Sequence, residues 1–237
     1  MAGINSINEE KKLTRRQRKA LRTSQRILES ASTLFSKNGY EQVKMEDISE
    51  EVDISRATLY NYYGSKEAIY FEIGKKGLSE INKKQRKILQ KEGTGRELTL
   101  LLVEDTLEHL FEDPLKQEII RQYSISNAQS EVPAHITLRK MESGKEIDDT
   151  LQIVLASFLK EMRAFEENWG YAINLGYRDG SINHELDTEQ LTHFMFMVIL
   201  GIVDRTNLEN VLLQNIGLTN EKLISSTINL LNKFLQV

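Results

Sequence analysis

Hydrophobic positions recur at helical spacing along almost the whole chain. Ile27, Leu28, Ala31, Leu34 and Phe35 fall at i, i+1, i+4, i+7 and i+8, the single apolar stripe of an amphipathic helix. That helix is predicted over 22–38, with Asn38-Gly39 ending it because Gly suits the left-handed position after a last turn. A short helix follows over 46–52. It buries Ile48 and Val52, four apart, and places Glu46 and Asp47 in its positive first turn. Asp53-Ile54-Ser55 is a three-residue break, and Ser55 is a good N-cap for a helix from Arg56 to Tyr62. Gly64 ends that helix. Ser65 caps the next, which runs from Lys66 to about Gln90 on Ile69, Ile73, Ile81, Ile88 and Leu89. Helical periods continue over 97–112, 115–127, 147–177, 188–207 and 220–235. Residues 128–145, with Pro133 and Gly144, read as the main irregular connection. No strand-like alternation lasts beyond a few residues and no repeat is visible. The expected fold is all-α, with about nine helices, three short ones leading.

Composition narrows the chemistry. The 237 residues are 40% hydrophobic and 28% charged, enough apolar material for a sizeable core. With no Cys there is no disulfide, thiolate nucleophile or Cys-rich zinc site, and 2 Pro argue against a turn-rich β fold. Residues 1–10 have neither the basic nor the apolar region of a secretory signal. The longest apolar run, Phe194 to Val203, is ten residues, about half of the ~20 that span a bilayer. A cytoplasmic location with no membrane partner is the default expectation. The four His, at 109, 135, 184 and 193, show no i, i+4 pairing, so no metal site is expected. No phosphate loop, GxSxG elbow or paired carboxylates appear either. No cofactor and no enzymatic activity are expected.

Charge is unevenly placed. The chain's net charge of −4 divides into +3 over residues 1–66 and −7 over 67–237. Lys11, Lys12, Arg15, Arg16, Arg18, Lys19, Arg22 and Arg26 lie in sixteen residues without an acid. Such a run is either a solvated tail or an arm that neutralises phosphates and releases their counterions.

The segment after the run favours the second reading. Two short helices joined by a three-residue turn, packed on a preceding helix, make a helix-turn-helix whose second helix can enter the major groove of DNA. In that second helix Leu59 and Tyr63 share one face, suited to the core. Arg56, Ala57, Thr58, Tyr60, Asn61 and Tyr62 occupy the others. Arg pairs with guanine O6 and N7, Asn with adenine N6 and N7, and Ala or Thr touches a thymine methyl. Tyr hydroxyls and Lys66, at a helix N-terminus, suit phosphate oxygens.

Residues 22–82 resemble the DNA-binding domain of the tetracycline-repressor (TetR) family of bacterial regulators. The resemblance is carried by Ile27-Leu28, Ala31, Leu34-Phe35, Gly39-Tyr40, Asp47-Ile48 and the run Ser55-x-x-Thr58-Leu59-Tyr60-x-Tyr62-Tyr63-x-Ser65-Lys66-Glu67. It implies a DNA-binding set of Lys44, Ser55, Arg56, Ala57, Thr58, Tyr60, Asn61, Tyr62 and Lys66. Within that set Thr58, Tyr60, Tyr62 and Lys66 hold the backbone, and Arg56, Ala57 and Asn61 read bases. Three departures stand out. Ala57 and Asp53 replace common Gly residues, and Lys44-Met45 replaces the usual Thr/Ser start, so the first motif helix lacks its common cap.

The resemblance also implies the domain plan: a basic arm over 1–21, a helix-turn-helix domain over 22–82 (motif 46–65), and a ligand-binding and dimerisation domain over 83–237. The residues add support. The helix over 188–207 is apolar all round from Phe194 to Val203 and must be buried on all sides. A partner chain would supply the missing cover, giving a two-fold interface of Phe194, Met197, Val198, Ile202, Ile224, Ile228 and Leu231. His109, Tyr123, Met141, Phe158, Met162, Phe165, Trp169 and Tyr171 are candidates for a mostly apolar effector pocket. The expected function is a homodimeric, sequence-specific transcriptional repressor, released from a palindromic DNA operator by a small-molecule effector. The alternative is a ligand-independent DNA-binding protein acting architecturally or through partner assembly.

Overall fold

The computed structural model describes residues 14–126 and 149–236. Among them are ten α-helices and no strand: α1 (Arg15–Asn38), α2 (Met45–Glu51), α3 (Arg56–Tyr62), α4 (Lys66–Ile88), α5 (Gly95–Glu112), α6 (Pro114–Ser126), α7 (Asp149–Asp179), α8 (Thr188–Leu208), α9 (Asn210–Asn215) and α10 (Asn220–Phe234). Two compact units result. One extends to Ile73 and includes the stretch ending at Leu155; the other holds the chain from Gly74 and Ala156–Val237. The division falls inside α4 and α7. A helix that continues through a boundary leaves no break in its periodicity, which is why the pattern alone gave no sign of it.

Two expectations need correction. Residues 15–21, assigned to an arm, are the first turns of α1. Thr14 caps them: its Oγ1 accepts from the Gln17 N–H at 3.2 Å, and its own N–H donates to Gln17 Oε1 at 2.8 Å, a full capping box. Helix α9, between α8 and α10, has only six residues, too few to display a period.

In the first unit, Ile27, Leu28, Ala31 and Phe35 of α1 are buried with Ile48, Val52, Leu59 and Tyr63. Tyr40 packs beside Phe35 at 5.3 Å and Tyr70 at 4.5 Å between ring centroids. Gly39 closes α1 at φ 81°, the conformation for which Gly is suited.

In the second unit α5 is the inner helix, buried on most of its circumference from Leu98 to Leu110 and packed by α6, α8 and α10. Its first turn meets the end of α7 so closely that a Cβ on Gly95 would lie 1.9 Å from the Gly176 nitrogen. Two amides of this turn are satisfied from across the crossing. Gly95 N–H donates to Asp179 Oδ2 at 2.7 Å, and Arg96 N–H to Ser181 Oγ at 3.0 Å, answering the orphan donors of a helix start.

Candidate nucleic-acid interface

Helices α2 and α3 are joined through Asp53, whose φ of 55° makes it the one non-glycine with positive φ among the described residues. Asp tolerates that region better than most side chains, so the turn survives without its usual Gly. Ile54 N–H donates to Ser49 O at 3.0 Å across the turn. Ser55 then caps α3. Its Oγ accepts from Thr58 N–H at 3.1 Å and lies 2.8 Å from the Thr58 hydroxyl.

Helix α3 is held by its inner face. Leu59 is fully buried and Tyr63 nearly so, with the Tyr63 hydroxyl 2.8 Å from Ser24 Oγ of α1. Burial raises the Tyr63 phenol from its ordinary 10.0 to about 12, the Ser24 hydrogen bond opposing and the Glu72 charge adding to the shift. The outer face presents Arg56, Ala57, Tyr60 and Asn61, all exposed, with Thr58 and Tyr62 half-buried at its edges. Arg56 Nη1 sits 3.0 Å from Glu46 Oε1 of α2. Lys44 is exposed and starts α2 without a side-chain cap of its own. Its N–H donates to Asp47 Oδ2 at 2.7 Å instead.

Lys66, implied by the resemblance as a backbone contact, is half-buried and engaged within the chain. Its Nζ donates to the carbonyls of Tyr40 at 2.7 Å and Val43 at 2.8 Å and stands 4.2 Å from the centre of the Tyr40 ring. These partners hold the ammonium against the turn before α2.

The second-unit candidates divide. Phe158, Met162, Phe165, Trp169 and His109 are buried. The Trp169 ring packs against Phe165 at 5.9 Å and Phe196 at 5.4 Å. Trp169 Nε1 and both ring nitrogens of His109 are buried without a hydrogen-bond partner. Burial lowers the His109 imidazole below its usual range, and Lys116 and Lys84 lower it further. Tyr171 is 57% exposed and is withdrawn from the pocket set: it lies two residues after Trp169, about 200° round the helix and thus on its outer side. Met141 and the side chain of Tyr123 lie outside the described residues.

Of the interface candidates, Phe194, Val198, Ile202, Ile224 and Ile228 are half-buried within the single chain and Met197 is 67% exposed. Leu231 is corrected to an intrachain core residue, because α10 packs on α5 and Leu231 is 2% exposed there.

A buried polar ladder escaped the sequence pattern. Asn82 and Gln85 of α4 are fully buried. Asn82 Nδ2 donates to Glu161 O at 2.8 Å and to Oε2 at 2.9 Å. Asn168 Nδ2 donates to Asn82 Oδ1 and Gln85 Oε1, and Gln85 Nε2 donates to Thr106 Oγ1 at 3.3 Å. Both α4 residues stand in the charged run Asn82-Lys83-Lys84-Gln85-Arg86-Lys87, and the apolar stripe of α4 does not include them. Their phase with Leu78, Ile81 and Ile88 was the available signal.

Among the described residues no group of His, Asp and Glu could hold a metal ion, and no helix is long and apolar enough to cross a membrane. Residues 27–73 match the family model for bacterial regulatory proteins of the tetR family. The biofilm operon icaADBC negative transcriptional regulator IcaR of Staphylococcus epidermidis is 47% identical over 45 residues, 19% of this chain and 24% of that protein. IcaR of Staphylococcus aureus is 29% identical over 112 residues, 47% of this chain and 58% of that protein. The chain thus spans from a quarter to somewhat over half of these curated relatives. The crystal structure of FadR from Bacillus subtilis in complex with stearoyl-CoA shares the fold, with a TM-score of 0.62 at 16% identity over 87% of this chain and 96% of that one. Residues 27–73 are thus similar to the DNA-binding domain of bacterial regulatory proteins of the tetR family.

Proposed function

We propose that the chain is a homodimeric, sequence-specific DNA-binding repressor that leaves a near-palindromic operator when a small molecule binds its second unit. One observation carries this reading. Helix α3 is anchored by Leu59 and Tyr63 and offers Arg56, Ala57, Tyr60 and Asn61 together on its open face. In the major groove Arg56 and Asn61 would read base edges, Ala57 would let the backbone approach, and Tyr60 with Lys44 would meet phosphates. The Glu46 partner of Arg56 is a part-exposed ion pair, worth at most about 1 kcal/mol, so a guanine edge can displace it. The negative sign of regulation follows the IcaR relatives.

Dimerisation is supported by the apolar face of α8 and α10. Met197, Phe194, Val198, Ile202, Ile224 and Ile228 are left partly or largely open on one chain. The effector site is supported by the unpartnered polar atoms of His109 and Trp169 in the interior of the second unit, where a ligand with a few polar groups would restore missing hydrogen bonds. Such a ligand shifts the protein only by its differential affinity for two conformers, with α4 and α7 each continuing from one unit into the other.

The experiment is competition binding of the chain's own upstream duplex against random duplex at fixed salt. Wild type prefers the former, and Arg56→Ala loses about 1–3 kcal/mol of that discrimination. Equal wild-type affinity for both duplexes would overturn the reading, and an Arg56→Ala loss that is the same on every sequence would reassign Arg56 to a phosphate.

A further inference from the structure

The helix-turn-helix itself is poor in cations. Residues 46–65 hold five acids, Glu46, Asp47, Glu50, Glu51 and Asp53, against the single base Arg56, a net of −4. Affinity for a duplex rests largely on cations that displace condensed counterions, so this motif needs them from elsewhere.

Helix α1 has them. Arg15, Arg18, Lys19, Arg22 and Arg26 fall within a sector of roughly 100° on the wheel of a 3.6-residue helix. They lie opposite the face on which Ile27, Ala31 and Phe35 are buried. Arg15, Arg16, Arg18, Lys19 and Arg22 are all exposed, and among the described residues none of them pairs with a carboxylate. The arrangement is unfavourable for the free helix. Like charges at i, i+3 and i, i+4 repel, and Arg15 and Arg16 crowd the positive end of the helix dipole. Even the capping box uses neutral Gln17 where Glu would offset that charge. The stripe ends beside the recognition elements: Arg26 Nη2 donates to Val52 O at 2.7 Å, at the end of α2, and the Ser24 hydroxyl meets Tyr63 at the end of α3.

We infer that the N-terminal turns of α1 are a second, sequence-independent DNA-binding surface. Arg15, Arg18, Lys19 and Arg22 grip phosphates flanking the base pairs that α3 reads, and they supply most of the electrostatic affinity that the acidic motif lacks. This deepens the regulator reading and rests on it for the choice of DNA as polyanion. Arg26 is a positioning residue at the root of the stripe.

The test needs no operator. Binding of the full chain to a random-sequence duplex is followed by fluorescence anisotropy between about 50 and 200 mM salt, the range over which phosphate binding is strongly screened. For the variant Arg15→Gln/Arg18→Gln/Lys19→Gln/Arg22→Gln, the slope of log K against log salt falls by about 0.9 for each phosphate no longer neutralised, and affinity drops more than about tenfold at the low-salt end. Its melting temperature stays equal or rises, because self-repulsion is relieved. The all-Lys variant (Arg15→Lys/Arg18→Lys/Arg22→Lys, with Lys19 kept) restores the slope. Arg56→Ala changes the slope by no more than about one unit. An unchanged slope in the Gln variant overturns the inference while leaving sequence preference intact. Normal salt dependence in wild type without preference for any sequence overturns the regulator reading and keeps the stripe.

Discussion

Two carbonyls and an aromatic ring hold the Lys66 ammonium at the first turn of α4, a role that the sequence motif does not state. A long flexible side chain at a helix start reaches whatever tertiary structure places near it, so a clamp on the turn before α2 stands beside the phosphate role that the motif implies. Lys66→Met is expected to lose about 2 kcal/mol of stability in denaturant unfolding, the scale of a charge-assisted hydrogen bond, with its salt slope for duplex DNA unchanged. A slope reduced by about one unit would return Lys66 to the phosphates. Other residues were legible in advance. The inward face of Tyr63 was readable from its four-residue spacing to Leu59, and the turn at Asp53 from the tolerance of Asp for positive φ. For Tyr63 the sign with pH is fixed by its raised phenol. The unfolded chain gives up this proton near pH 10 and the folded chain near 12, so stability is constant below about pH 10 and falls as pH rises toward 12. Tyr63→Phe should flatten that part of the pH–stability curve.

Among the elements, nine of the ten described helices were visible as periods, because an apolar stripe every 3.6 residues is what packing one face demands. The misses have physical causes. Helix α9 is shorter than two turns. The start of α1 is set by a Thr14–Gln17 box within a charge run that masks it. The Asn82–Gln85–Asn168 ladder places polar side chains where the period calls for apolar ones. The crossing of α5 and α7 was also hidden, since two glycines far apart in sequence carry no pattern. At that crossing Gly95→Ala forces a methyl against the Gly176 backbone. Backbone cannot rotate aside, so the substitution is expected to cost upwards of about 3 kcal/mol, at or beyond the top of the overpacking range. Calorimetry should show this as a lowered transition of the second unit. A wild-type melting profile would mean that the helices separate freely there.

For the whole molecule the question is association. The open apolar positions on α8 and α10 suit a second copy, since a two-fold interface buries the same patch on both chains. Met197, 67% exposed, is the most sensitive probe: Met197→Asp is expected to shift mass by light scattering from dimer to monomer and to weaken operator binding, while the helical content of each chain is kept. A dimer that tolerates the buried charge would place the interface elsewhere. The proposed dimer and the reading of α3 are tested together by selection of bound sequences from a random duplex pool with footprinting of the selected sites. The expected result is an enriched inverted repeat whose two half-sites lie about 10–10.5 base pairs apart centre to centre, or a multiple of that, each protected in the major groove. A pool without enrichment, or a single unrepeated site, would contradict it.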